Sequence, residues 1–138
     1  MKSNILQALY ISILRIIIAI ILLAHAIPSV VSGDINQFGR LYLNEIGFAP
    51  FGVVLAWVIK GSHILAAVAL ICNRWIFYPC LVTIAILLTG IFILHIKDGW
   101  YVVGGGRNGI EYNVLLIVVL ISILLYDKAV KNESRLQP

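Results

Sequence analysis

The sequence predicts an all-α integral membrane protein: an antiparallel four-transmembrane-helix bundle with a short interfacial segment in its first loop. Three observations carry that prediction. Of 138 residues, 62% are hydrophobic and 12% charged, against about 45–50% and about 25% in a soluble domain. Four apolar runs, at about 7–31, 49–72, 76–96 and 109–126, each approach the ~20 residues that a spanning helix needs. Only Asn73, Arg74 and Trp75 separate the second run from the third, which makes those two helices antiparallel neighbours. The length suits a single domain over 1–138.

The connections follow from local composition. In the first loop, Ile35, Phe38, Leu41 or Tyr42, and Ile46 recur at helical spacing against Asn36, Arg40, Asn44 and Glu45. That pattern predicts a short amphipathic helix lying in the membrane interface. The third loop contains Asp98-Gly99 and Gly104-Gly105-Gly106 and is expected to be irregular. Residues 127–138 read as a polar tail. Trp75, Tyr78, Trp100, Tyr101, Tyr112 and Tyr126 fall at predicted helix ends, where an aromatic belt forms. Ser62 and Ala66 form a small-xxx-small pair suited to close helix packing.

Charge places the ends. Lys2, Arg74, Lys128, Lys131 and Arg135 fall on one side and Arg40, Lys97 and Arg107 on the other, which predicts both termini in the cytoplasm. Arg15 and the length of the first run favour a spanning helix over a signal peptide cleaved at Ala24-His25-Ala26. The net charge of +4 comes from scattered cations, so it gives no footprint for nucleic acid. Cys72 and Cys80 form no CxxC pair, which argues against thiol-disulfide exchange.

The informative residues are the polar ones inside apolar runs, because a charge in lipid is costly. They are Arg15 and His25 on the first helix, Lys60 and His63 on the second, His95 on the third and Glu111 on the fourth. At about 1.5 Å per residue, Arg15 and Lys60 are expected near mid-membrane. Lys60 and His63, three apart, share a helix face, and Trp57 precedes Lys60 by the same spacing.

His25, His95 and Glu111 are expected near the outer surface, within reach of one another. Such a set suits a divalent metal, axial haem ligation, or hydrogen bonds and proton exchange with a quinone; the spacing does not choose among them. Glu111 is the one intramembrane carboxylate against two cations. The surplus is resolved if Lys60 is neutral, if Asp34 or Glu45 folds inward, or if a ligand completes the balance. Glu111 is also favoured by the helix dipole alone at its position.

These residues carry a family resemblance. Arg15 and His25 on the first helix, Gly47-Phe48 before the second, Arg74 closing it, His95 ahead of Gly99-Trp100-Tyr101, and the run through Gly105, Gly109, Glu111 and Tyr112 together resemble the DoxX family of small four-helix membrane proteins. The resemblance spans nearly the whole chain. It implies a bacterial inner-membrane bundle and, for some relatives, association with redox systems such as thiosulfate:quinone oxidoreductase. The chain departs from the pattern at Lys60, where relatives tend to carry a Glu able to pair with the first-helix Arg.

The resulting expectation is a quinone-linked or redox-associated membrane subunit that binds an apolar ligand within the bundle. His25, His95, Glu111 and His63 would supply hydrogen bonding and proton exchange, with Arg15 and Lys60 stabilising charge. No flavin, nucleotide or iron-sulfur motif is present, so electrons would come from a soluble or membrane redox partner, and a homo-oligomer is open. A non-enzymatic adaptor and a small-solute transporter are the alternative readings.

Overall fold

The structure, a computed structural model, describes residues 2–103 and 109–136. Gly104, Gly105, Gly106, Arg107 and Asn108, on which part of the irregular-loop expectation rests, lie outside the described residues. The chain forms α1 (Lys2–Val31), α2 (Asp34–Gln37) running into a widely wound π-helical segment (Phe38–Phe48) that is kinked at Gly47 (φ 110°), α3 (Gly52–Cys72), α4 (Phe77–Gly90) and α5 (Glu111–Leu136). A π turn over Ile91–His95 and a 3-10 turn over Ile96–Asp98 prolong α4. Four stretches are long and apolar enough to cross a bilayer: Ile5–Val31, Gly52–Cys72, Phe77–Asp98 and Glu111–Glu133. The protein is an all-α four-helix membrane bundle.

Helices α1 and α4 each pack on both α3 and α5, so α1 and α4 occupy opposite corners. The main core gathers Ile18 and Leu22 of α1, Ala66 and Leu70 of α3, Cys80 and Ile84 of α4, and Leu120 and Ile123 of α5. The outward faces are equally apolar: Ile13, Ile20, Leu65, Val68, Val118 and Leu125 are all exposed. Lipid tails solvate such a surface, leaving close packing and internal hydrogen bonds to specify the bundle. The helix hydroxyls are satisfied locally, since Ser12, Thr83, Thr89 and Ser122 each donate to the carbonyl four residues back, at 2.8–2.9 Å.

The helix ends follow from residue chemistry. Asn73 closes α3 in the left-handed region at φ 52°, a conformation Asn tolerates well, and the Arg74 amide donates back to the Ala69 carbonyl at 3.2 Å. The expected polar tail is instead a continuation of α5 to Leu136. Lys128, Lys131 and Glu133 are good helix formers, and Lys131 pairs with Asp127 one turn away at 2.7 Å.

The first-loop segment is helical as expected, but a different face is buried. Ile35, Gly39 and Leu43 are buried, whereas Leu41, Tyr42 and Ile46 are exposed. Ile35, Gly39 and Leu43 are each four apart and share one helical face, and that face is the one packed on α3. Glycine permits the docking on α3. A Cβ on Gly39 would collide with the backbone of Gly52 and Val53, and one on Gly52 would meet the Gly39 carbonyl and the Asn44 side chain. The segment is then pinned at two points, with Trp57 Nε1 donating to Asn36 Oδ1 at 3.1 Å and the Gly52 amide donating to Asn44 Oδ1 at 2.9 Å.

Candidate functional site at the junction of two cores

Beneath that segment Ile35, Leu43 and Ala56 form a second, smaller core, with Phe38, Phe48, Leu55 and Ile59 packed against it. Along α3, Ala56 belongs to this core and Ala66 to the main one. Lys60 and His63 stand between them, both buried.

Lys60 reaches across to α1, where Nζ donates to the main-chain carbonyl of His25 at 2.9 Å. A helix carbonyl is normally committed to its own helix, but α1 contains Pro28. Proline lacks the amide that would bond the Ala24 carbonyl four residues back and crowds that turn; the His25 carbonyl is the next one along and accepts Lys60 as a further donor. The Phe38 ring lies 6.0 Å from Nζ on another side, within cation–π range. No carboxylate is within ion-pair distance of Lys60 among the described residues.

His63 is 3% exposed, and neither ring nitrogen has a hydrogen-bond partner. Its ring centroid lies 6.0 Å from that of His25, with the planes inclined at 53°. His25 is itself exposed on the bundle surface, so the cluster runs from the lipid-facing side of α1 to a buried imidazole. Buried polar groups are satisfied in the great majority of cases. A neutral imidazole carries one donor and one acceptor, and leaving both unused costs about 1–3 kcal/mol per group.

The other candidate residues go elsewhere. Arg15 donates to Asn73 Oδ1, the residue that ends α3, and to Ser12 Oγ at 3.0 Å. It therefore belongs to the α3–α4 hairpin end and not to the cluster around Lys60. A cavity of about 260 Å³ opens beside it, with Ser12, Asn73, Tyr126 and Asp127 in its lining.

Glu111 accepts a hydrogen bond from the Val102 amide at 2.8 Å. Its own amide donates to the Trp100 carbonyl at 3.0 Å, and that of Ile110 to Gly99 at 3.1 Å. Glu111 thus clasps the loop to the start of α5, where helix amides lack partners. The His95 ring lies near Gly90 and the Asn113 side chain: a Cβ built on Gly90 would be 3.9 Å from His95 Nε2 and 4.0 Å from Asn113 Nδ2.

The expected grouping of His25, His95 and Glu111 is therefore replaced by His25, Lys60 and His63. Among the described residues no three His, Cys, Asp or Glu side chains gather closely enough to hold a metal ion. Asp34 and Glu45 are exposed, and Asp34 accepts from the Ser32 hydroxyl at 2.7 Å, so neither folds inward to balance Lys60. Asn113 escaped the sequence reading, and Phe38 and Asn73 entered it only as a loop-helix residue and a hairpin residue, not as partners of Lys60 and Arg15. Asn113, 9% exposed inside an apolar run, was the one with a visible signal. Comparison with protein-family models, characterised proteins and solved structures gives no match to this chain.

Proposed function

We propose that this chain is a DoxX-like, redox-associated subunit of the bacterial inner membrane, with both termini cytoplasmic, that binds an apolar, carbonyl-bearing ligand of quinone type through His25, Lys60 and His63. The observation that carries the reading is His63, a buried imidazole beside a buried ammonium group with both nitrogens unpartnered. A ligand oxygen accepts from the imidazole N–H and from the remaining N–H groups of Lys60. The apolar body of the ligand lies toward the lipid-exposed side of α1, where His25 is accessible from the bilayer. His25 and His63 are the groups suited to exchange the protons that quinone reduction requires. Electrons arrive from a partner protein.

The test is to purify the protein in mild detergent and extract its bound lipids, beside a His63→Leu variant. The expected result is co-purified quinone in the wild type and its loss in the variant. Quinone-free protein that also fails to bind an added quinone analogue, and carries stoichiometric protein partners instead, would favour the adaptor reading.

A further inference from the structure

We infer that the site selects its ligand as an anion: a ring bearing an ionised hydroxyl beside a carbonyl is preferred over the same ring with the hydroxyl blocked. The inference rests on the ligand site proposed above and adds its charge preference.

Charge balance within the bundle is the argument. Lys60 is buried in a spanning helix, and its two visible contacts, the His25 carbonyl and the Phe38 ring, are both neutral. They orient an ammonium group without cancelling its charge. The titratable neighbours on α1 and α3 are His25 and His63, both bases. On the covering segment Asp34, Arg40 and Glu45 are all exposed, and Asp34 is held by Ser32. Glu111 is occupied with the Val102 amide. Among the described residues the cluster thus has no negative charge of its own, and a buried cation favours an opposite charge within ~4–6 Å.

A neutral ligand satisfies the hydrogen bonds and leaves the charge standing, whereas an oxyanion does both. If Lys60 starts as a neutral amine, the acidic hydroxyl transfers its proton to Nζ and the same ammonium–oxyanion pair results. The adjacent carbonyl then accepts from the His63 N–H. Charge-assisted bonds of this kind are roughly twice as strong as neutral ones.

The experiment titrates full-length protein in lipid nanodiscs with two probes, an alkylated hydroxynaphthoquinone ionised at neutral pH and its neutral methyl ether, each corrected against empty discs. The acidic probe should bind about tenfold tighter or more, a difference of ~1.4 kcal/mol. Lys60→Gln should bring the two to parity, and Lys60→Arg, which keeps the charge, should preserve the preference. Should Lys60→Gln fail to assemble, the wild-type ratio and Lys60→Arg decide the matter. Saturable binding of both probes with equal affinity would overturn the anion preference and leave the site standing. Absence of saturable binding for both would overturn the site as well.

Discussion

Arg15 and Lys60 are two cations within spanning stretches of one small bundle, and their surroundings differ in kind. Arg15 reaches the residue that ends α3, bonds Asn73 and Ser12, and lines a cavity together with Asp127. Lys60 sits between two apolar cores and finds a main-chain carbonyl and a ring. Arg15 lies midway along α1 but level with the end of α3, so its long side chain reaches a polar cap, whereas Lys60 must take what the packing offers. Arg15 therefore reads as a tie between elements, and Lys60, next to an unsatisfied His63, as part of a site prepared for something else.

Four substitutions break or sharpen that comparison, in order of expected effect. Gly39→Val places a side chain where the backbone of α3 lies. It should lift the covering segment, abolish probe binding and cost about 1–3 kcal/mol by overpacking, read as a fall in the Tm of detergent-solubilised protein. His63→Leu should separate binding from stability. Removing two unsatisfied nitrogens should leave the apo bundle as stable or up to about 1–3 kcal/mol more so, while quinone affinity falls at least about tenfold. A destabilised variant with intact binding would make His63 a structural residue.

Arg15→Ala should show the reverse pattern, a loss of about 1–3 kcal/mol from the broken charged hydrogen bonds with probe affinity unchanged. A loss of binding at Arg15 would erase the distinction between the two cations. Glu111→Gln should have the smallest effect. The amide oxygen still accepts from Val102, so only the charge at the α5 N-terminus is lost, about 0.3–1 kcal/mol. Ligand occupancy equal to wild type across the pH range checks this, and an abolished occupancy would return Glu111 to the site.

How far the chain could be read in advance differs between fold and site. The spans were legible because length and apolarity are local properties: the observed stretches begin and end within a few residues of the expected ones, apart from the helical continuation beyond Tyr126. The Asn73–Trp75 hairpin and a helical first loop were equally local readings. Lys60 and His63 were legible as neighbours because a spacing of three places two residues on one face. That His25 would join them was not, and His95 and Glu111 had as good a claim from depth alone.

The sequence by itself determined that this is a four-helix membrane protein and which few polar residues lie inside its spans, since both depend on runs of side chains along the chain. Only the tertiary structure decided which of those residues meet. The spanning helices are apolar on nearly every face, so no amphipathic stripe announces how each is rotated toward its neighbours. Rotation is settled instead by small-residue contacts such as Gly39 on Gly52 and by cross-helix hydrogen bonds such as that from Lys60 to the His25 carbonyl. Those contacts join residues as much as 35 positions apart, beyond the reach of any local pattern.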